Sequence, residues 1–307
     1  MKIVVIGGGA GGASFAARMR RLDEKAEITI LEKTEETSIA SCGLPYFIGG
    51  VIDNRDDMQV AKPAFLKQLF NIDVKLNSPV SEINPDKKIV ITNNGDIYPY
   101  DKLVLATGAK PFVPAIDGIE NLPHFVVKNL ADADAIKAFI AQNKPKNAVV
   151  VGGGFIGVEV AENLCHLGIK TSLVEMAPQV LMPLDEDMAT LIHKEMKRND
   201  LSLYLSDGLQ SVAGDGVVLT SGKKVAADML VLAIGVRPET ELAKKAGITL
   251  TEKGAVVPNE YMQTNYPDIY ACGHSVSFKY FVSVPPLLLT LPAPPNPAYS
   301  LASPLLS

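Results

Sequence analysis

Two glycine-rich loops of the same spacing constrain the fold of this chain more than any other feature. The segments IVVIGGGAGG (3–12) and VVVGGGFIG (149–157) each place an apolar run directly before a G-x-G-x-x-G pattern. The second pattern repeats the first 145 positions later in the sequence. The corresponding glycines are Gly7, Gly9 and Gly12 in the first loop and Gly152, Gly154 and Gly157 in the second. An internal repeat on this scale predicts two copies of one structural unit.

The residues that flank each loop complete the pattern of a dinucleotide site. Helix-like patterns follow at 14–22 and 158–167, and each leads to a strand that ends in an acid, Glu32 or Glu175. In such a site the glycines let the backbone approach a pyrophosphate, which meets the helix N-terminus, and the acid accepts from a ribose hydroxyl. A lone G-x-G-x-x-G is weak evidence, but here strand, helix and acid agree with it twice. The sequence therefore predicts an α/β fold of two Rossmann-like three-layer units with two bound dinucleotides.

The repeat continues beyond these segments and then becomes unequal. Residues 89–111 and 217–238 each read as a hairpin followed by an apolar strand, but the offset at their closing strands is 127. The first copy therefore holds 18 more residues between its glycine loop and its closing strand. Cys42 lies in this additional stretch, within SIASCGLPYFIGG (38–50). An addition to one copy of a repeat is a place where specialised chemistry is expected.

Composition and charge exclude several functional classes. The net charge of -5, without a basic stripe, argues against a nucleic-acid partner. Three scattered cysteines make no disulfide framework and favour a reducing compartment. The apolar start is too short for a signal peptide, and no run is long enough to span a bilayer. We expect a soluble cytoplasmic protein with no membrane or nucleic-acid partner.

Residues 280–307 differ from the rest of the sequence. They contain no charged residue, and seven of the chain's 21 prolines fall among them. Proline at this density excludes a helix interior and a central strand. This end of the sequence is therefore predicted to be irregular, or to be a segment that lacks its partner.

Two such units, with an Ala-Thr-Gly motif at 106–108, resemble the flavin-dependent pyridine nucleotide disulfide oxidoreductases over residues 1 to about 279. The resemblance implies that the first unit binds FAD and the second NAD(P)H. It also implies an FAD-binding domain of residues 1–112 plus 242–307, into which an NAD(P)H-binding domain of residues 113–241 is inserted. Relatives are homodimers, and the C-terminal dimerisation domain that they use is expected to be absent from this chain.

The single cysteine at position 42 indicates a branch within this family. Family members usually carry a C-x-x-x-x-C redox pair, whereas S-x-x-S-C-G-L-P-Y around Cys42 resembles the coenzyme A disulfide reductase branch. That branch also includes NADH oxidases, NADH peroxidases and polysulfide reductases. Oxidase and peroxidase relatives typically have a histidine in the flavin glycine loop, where this chain has Ala10. Ala10 and the Cys-Gly-Leu-Pro-Tyr run both favour coenzyme A disulfide reductase.

The resemblance implies an oxidoreductase that passes electrons from NADH through FAD and Cys42 to coenzyme A disulfide, or to a related small disulfide or polysulfide. Without a neighbouring cysteine, Cys42 must cycle through a mixed disulfide with a small thiol, or through a sulfenic acid with peroxide. Two alternatives stay open at this point. One is an NADH oxidase or peroxidase that uses the sulfenic acid, and the other is a truncated nucleotide-binding remnant without turnover.

The same resemblance assigns roles to individual residues. Cys42 is the expected catalytic residue, and the expected substrate contacts are Arg18, Arg21, Ser38 and Ser41. A solvated helix face is the alternative interpretation of the two arginines. The residues expected to bind the two cofactors are Gly7, Gly9, Ala10, Gly12, Glu32, Lys33, Val80, Ala106, Thr107, Gly108, Gly152, Gly154, Phe155, Ile156, Gly157, Glu159, Glu175, Gly235, Gly273 and His274. No histidine or cysteine spacing suggests a metal site.

Three further positions bear on these expectations. Glu175 would accept from a free 2′-hydroxyl and repel a 2′-phosphate, which favours NADH over NADPH. The family's second flavin motif usually reads Gly-Asp but here reads Gly273-His274, and an imidazole accepts a hydrogen bond only when it is neutral. Cys165 and Cys272 lie in apolar patterns and are predicted to be structural.

Overall fold

The computed structural model describes residues 1–278 and the two-residue strand 287–288, so most of the segment predicted to be irregular lies outside the described residues. The α-helices are α1 (Ala10–Leu22), α2 (Leu44–Ile48), α3 (Pro63–Phe70), α4 (Leu130–Asn143), α5 (Phe155–His166), α6 (Glu186–Arg198) and α7 (Glu241–Lys245). Short 3-10 helices are formed by Ser41–Gly43, Arg55–Met58, Ile119–Asn121 and Gly273–Ser275. The strands are β1 (Lys2–Ile6), β2 (Glu27–Leu31), β3 (Ile72–Lys75), β4 (Val80–Asn84), β5 (Ile89–Thr92), β6 (Ile97–Pro99), β7 (Lys102–Leu105), β8 (Ala109–Pro111), β9 (His124–Phe125), β10 (Asn147–Val151), β11 (Lys170–Glu175), β12 (Ser202–Leu205), β13 (Leu209–Ala213), β14 (Gly216–Leu219), β15 (Lys224–Ala226), β16 (Met229–Leu232), β17 (Val236–Pro238), β18 (Ile269–Ala271), β19 (Ser277–Phe278) and β20 (Leu287–Leu288).

The chain forms two compact units. The first contains residues Met1–Ile39, Gln59–Lys110 and the chain from Arg237 onward, and the second contains Ala40–Met58 and Pro111–Val236. The second unit is thus inserted into the first, as the sequence predicts.

The first unit is built on a parallel sheet of strand order β18-β7-β1-β2-β3. Strand β1 pairs with β2, with Ile3 opposite Ile28, and on its other side with β7. The apolar side chains of β1 and β7 are buried, as expected where helices cover a parallel sheet. Helices α1 and α3 pack on this sheet, and β4, β5 and β6 form a separate antiparallel sheet.

The second unit repeats this plan. Its parallel sheet has the order β12-β11-β10-β16-β9, and β10 pairs with β11 and β16 as β1 pairs with β2 and β7. Helices α5 and α6 pack on the sheet, and β13, β14 and β15 form the antiparallel addition that corresponds to β4–β6. The predicted α/β class with two Rossmann-like units is therefore confirmed.

Residues 40–58 lie in a different unit from the one that their place in the sequence indicates. The family resemblance implies that residues 1–112 belong to the first unit, whereas this segment groups with the second. The reason is hydrophobic contact, because α2 packs against α4 and α5 and buries Leu44, Phe47 and Ile48. The observed unit boundaries lie at 110/111 and 236/237, whereas the expected boundaries are near 112 and 242.

Candidate functional site

The first glycine loop is held by contacts that only glycine allows. Gly7 has a φ of +105°, and a Cβ there would overlap the carbonyl oxygen of Ala106. A Cβ at Gly12, in the first turns of α1, would overlap the carbonyl oxygen of Gly7. Gly9 differs, because a Cβ there would meet no atom within 4 Å. The loop is therefore packed tightly against its own strand and helix but leaves open space at Gly9.

Glu32 directly follows β2 and is a buried carboxylate, with only 8% of its surface exposed. Its Oε2 accepts a hydrogen bond from the backbone N–H of Gly8 at 2.6 Å. Its Oε1 accepts from the backbone N–H and the hydroxyl of Thr34, each at 2.9 Å. These three hydrogen bonds fix the orientation of the Glu32 carboxylate beside the first glycine loop.

The second glycine loop has the same construction. Gly152 has a φ of +109° and faces the carbonyl oxygen of Ala233, Gly157 faces the carbonyl oxygen of Gly152, and a Cβ at Gly154 would meet no atom within 4 Å. Ala233 follows β16 as Ala106 follows β7.

Glu175 holds the second loop as Glu32 holds the first. Its Oε2 accepts from the backbone N–H of Gly153 at 2.5 Å, and its Oε1 accepts from the backbone N–H of Ala177 at 2.7 Å. The acid in each unit therefore bonds the middle glycine of its loop, at Gly8 or Gly153.

A second contact to each middle glycine was missed by the sequence patterns. Ser38 and Leu181 both adopt positive φ, at 53° and 49°, although neither is glycine. Their backbone N–H groups donate to the carbonyl oxygens of Gly8 (2.8 Å) and Gly153 (2.7 Å). Each lies six positions after the acid of its unit, and that repeated spacing is the signal that could have identified the pair. Ser38, predicted as a substrate contact, thus closes the first loop with its backbone.

The Ala-Thr-Gly motif at 106–108 lies at the carboxyl end of β7, beside the first glycine loop. The N–H of Ala106 donates to the carbonyl of Ile6 at 2.8 Å, which extends the pairing of β7 with β1. Thr107 donates its hydroxyl to the carbonyl of Glu239 at 2.5 Å, and Gly108 takes a φ of +71°. These bonds place the motif at the same sheet edge as the loop, where ligands of open α/β sheets bind.

The second flavin motif reaches this edge through β18. Cys272 follows β18, and its N–H donates to the carbonyl of Leu105 at 2.8 Å. A Cβ built on Gly11 in α1 would lie 3.5 Å from the Cα of Gly273. The motif therefore lies against the start of α1, and His274, which replaces the usual Asp, is exposed there.

The other expected flavin residues of the first unit are more dispersed. Lys33 is largely exposed and lies 4.0 Å from a carboxylate oxygen of Glu239. Val80 begins β4 and packs, partly buried, against the hydrophobic core of the unit. Of the expected substrate contacts, Arg21 is exposed and Arg18 is half-buried.

In the second unit the remaining expected residues surround the start of α5. Phe155 and Ile156 begin the helix and are large apolar side chains that are 48% and 42% exposed. Gly235 takes a φ of +106° and accepts at its carbonyl from the N–H of Phe112 at 3.0 Å.

Glu159 lies one turn into α5. Burial, and then the neighbouring Glu162 carboxylate, raise the pKa of Glu159. The pKa of Tyr46 in α2 is raised chiefly by the Glu159 carboxylate, then by burial and by Glu162. Tyr46 in α2 therefore lies close enough to Glu159 in α5 for the two side chains to interact electrostatically.

Cys42 is the exposed thiol of this chain. It lies in the 3-10 turn Ser41–Gly43, which runs directly into α2. Cys165 in α5 is half-buried, and burial raises the pKa of its thiol, while burial raises the pKa of Cys272 to about 12. Only Cys42 therefore combines exposure with a thiol able to meet a substrate. Ser41 is exposed beside it.

The part of the chain that the structure describes contains neither a metal-binding cluster nor a helix suited to a bilayer. No group of three or more His, Cys, Asp or Glu side chains there could hold a metal ion. No helix among the same residues is both long enough and apolar enough to cross a bilayer.

Comparison with known proteins identifies relatives over almost the whole chain. The family model described as pyridine nucleotide-disulphide oxidoreductase matches residues 1–285. An NADH oxidase of Methanocaldococcus jannaschii is 37% identical over 92% of this chain and 65% of its own length. A coenzyme A disulfide reductase of Staphylococcus haemolyticus is 36% identical over 91% of this chain and 64% of its own length. The chain thus spans just under two thirds of the length of these curated relatives.

Solved structures give the same result. The reduced CoADR-RHD protein of Bacillus anthracis superposes with a TM-score of 0.94 at 45% identity, over 99% of this chain and 56% of that one. A NAD-dependent persulfide reductase from A. fulgidus superposes with a TM-score of 0.91 at 34% identity, over 99% of this chain and 59% of that one.

Proposed function

The chain belongs to the pyridine nucleotide-disulphide oxidoreductase family, and we propose that it is a flavoprotein that passes electrons from NADH through FAD and Cys42 to a small disulfide. Coenzyme A disulfide, or a related low-molecular-weight disulfide or polysulfide, is the proposed acceptor. The observation that carries this proposal is one exposed thiol, Cys42, in a compact unit that also contains a complete dinucleotide loop.

The residues present fit the two cofactors. No side chain caps the N-terminus of α1 or α5, so the first-turn amides of both helices can meet a phosphate. Gly9 and Gly154 leave space for a close approach, and Glu32 and Glu175 are held where a ribose hydroxyl can donate to them. We assign the first unit to FAD and the second to NADH. When bound, the flavin would supply two-electron chemistry between a nicotinamide and a sulfur atom.

The proposed chemistry at Cys42 conserves atoms and electrons. The Cys42 thiolate attacks one sulfur of the disulfide R–S–S–R, forming a mixed disulfide and releasing one thiolate R–S⁻. Two electrons that originate in NADH then cleave the mixed disulfide, which releases the second R–S⁻ and regenerates the Cys42 thiolate. The exposure of Cys42 permits the first step, because a bulky disulfide must reach its sulfur. Three free cysteines fit a reducing compartment, and we infer that the protein works in the cytoplasm.

The bonds of Glu175 support NADH as the electron donor. Both of its oxygens accept from backbone N–H groups, which hold the carboxylate where a 2′-phosphate would have to bind. A phosphate there would meet like charge in a half-buried position, which disfavours NADPH.

A second candidate function is supported by one relative. The relative from M. jannaschii is named as an NADH oxidase, and an exposed single cysteine can also cycle through a sulfenic acid with peroxide. This candidate keeps both cofactors and changes only the acceptor.

One experiment tests both candidates. NADH consumption is measured with coenzyme A disulfide, glutathione disulfide, polysulfide and peroxide for the wild type, Cys42→Ser and the control Cys165→Ser. We expect turnover with a disulfide or polysulfide that Cys42→Ser abolishes and Cys165→Ser retains. Equal turnover in the wild type and Cys42→Ser would refute the thiol mechanism, and turnover with peroxide alone would select the second candidate.

A further inference from the structure

The helix that follows Cys42, α2, packs against α5, the helix of the second glycine loop, and this interface includes one very close contact. This contact joins Gly49, the C-cap of α2, to Asn163 in α5. A Cβ on Gly49 would overlap Oδ1 of Asn163 and lie 2.7 Å from its Cγ. Gly49 has a φ of −73° and a ψ of −7°, which any residue can adopt. Glycine at this position is therefore explained by the space that Asn163 occupies and not by backbone conformation.

Asn163 is an unusual residue for its place in α5. It is 2% exposed and lies in the helix interior, where its Nδ2 donates to the carbonyl of Glu159 at 2.8 Å. Asn143 and Asn199 make the same bond to the carbonyl four residues earlier, but both are exposed and lie at helix ends. Asparagine is favoured at helix ends and disfavoured in helix interiors. The local bond alone thus does not account for a buried asparagine at position 163.

Cys42 and Gly49 lie near opposite ends of one short helical segment. The 3-10 turn Ser41–Gly43 and α2 are continuous, and the N–H of Gly49 donates to the carbonyl of Pro45 at 2.9 Å. Gly43, next to Cys42, is packed so that a Cβ there would lie 3.1 Å from Cε of Met58. The chain between Cys42 and Gly49 is therefore continuously helical, with Gly43 closely packed against Met58.

Two polar contacts hold the other side of this segment against α4. Lys137 donates to the carbonyl of Phe47 at 2.7 Å and lies 4.4 Å from the centre of its ring. Arg55 pairs with Asp134 at 2.8 Å. The segment is therefore held by α4 on one side and by α5, including Asn163, on the other.

We propose that Asn163 is a positioning residue that sets the Cys42 thiol relative to the helix of the second dinucleotide loop, through its contact with Gly49. The inference rests on the proposed function, because it takes Cys42 to be the reacting group. An error of about 1 Å in the position of a reacting atom can reduce a rate by about a hundredfold, so such a contact matters for catalysis.

A double-mutant cycle on the whole protein tests this inference without any electron acceptor. The variants are Asn163→Ala, Gly49→Ala and the two combined, and the control is Asn143→Ala, which removes the same bond at an exposed position. The readout is the alkylation rate of Cys42 by iodoacetamide, measured by peptide mass spectrometry. Each single variant should change this rate about threefold or more, which is a typical effect of coupling between side chains in contact. The combined variant should return toward the wild-type rate, because the new methyl group of residue 49 fills the space left by Asn163.

The other cysteines report whether a variant has merely unfolded. Cys272 is 1% exposed, so faster alkylation at Cys272 and Cys165 together with Cys42 would indicate general loss of structure and would overturn the positioning role. Single variants within twofold of the wild type, or single effects that simply multiply in the combined variant, would also overturn it. Since alkylation requires no turnover, a failure of the proposed reductase activity would appear separately, as wild-type protein that does not consume NADH.

Discussion

The most informative stability prediction concerns Arg20, a residue that the sequence patterns pass over in favour of its neighbours Arg18 and Arg21. Arg20 is 8% exposed at the end of α1. Its guanidinium donates five hydrogen bonds, all to backbone carbonyls and all between 2.6 and 3.2 Å. The acceptors belong to Asp23, Glu24, Ala26, Phe70 and Asn71. One side chain thus fastens the end of α1 to the start of β2 and to the turn between α3 and β3.

The cost of Arg20→Met follows from these bonds. Methionine fills similar space but donates nothing, so carbonyls that the guanidinium satisfies lose their donor. An unsatisfied buried polar group costs about 1–3 kcal/mol, and the bond to Ala26 lies in a buried position. Some of the other carbonyls can turn to water, so we expect a total loss of about 3–5 kcal/mol in the free energy of unfolding, similar to breaking a buried charged contact. For units of this size that corresponds to a fall in Tm of roughly 6–20 °C.

The assay is thermal unfolding followed by circular dichroism, with bound FAD followed by its fluorescence in the same scan. Arg21→Met is the matched control, because Arg21 is exposed on the same helix. Arg20→Lys should recover only part of the loss, since one ammonium group cannot reach all the carbonyls that the planar fork spans. A Tm for Arg20→Met within 1–2 °C of the Arg21→Met control, the range of ordinary surface changes, would refute the reasoning.

Three further predictions follow from the second unit. Gly154→Ala should leave Tm unchanged, because its Cβ meets no protein atom, but should weaken NADH binding by about tenfold or more if the proposed pyrophosphate site is correct. Gly152→Ala should lower Tm as well, because its Cβ would overlap the carbonyl oxygen of Ala233. Titration calorimetry measures the binding and thermal melts measure the stability. Glu175→Ala should raise kcat/KM for NADPH relative to NADH by about tenfold, and an unchanged ratio would contradict the assigned role of the carboxylate. His193 accepts from the backbone N–H of Val180 at 3.2 Å, and burial, followed by Lys197, lowers its pKa. The folded state therefore favours the neutral imidazole, so Tm should fall as pH drops below about 6.5, the ordinary histidine value, and His193→Gln should show a smaller fall over the same pH range.

The sequence determined the repeated part of this protein because the repeat rests on local requirements. A glycine forced to positive φ, a strand with buried side chains on both faces and an acid at a strand end leave their marks in consecutive residues. The loops at Gly7 and Gly152 and the acids Glu32 and Glu175 are for this reason found where the pattern placed them.

The tertiary structure decided what depends on residues far apart in the sequence. The segment that carries Cys42 follows the first glycine loop in the chain, yet its apolar side chains are buried against α4 and α5, more than 80 residues later. No local pattern distinguishes Arg20 from Arg18 and Arg21. Arg20 is the one that donates to the carbonyl of Phe70, and that contact joins residues 50 positions apart in the sequence. Gly49 and Asn163 are unremarkable in the sequence, and only the folded structure shows that they are in contact. Local backbone geometry is encoded in neighbouring residues, whereas burial and contact are properties of the assembled core.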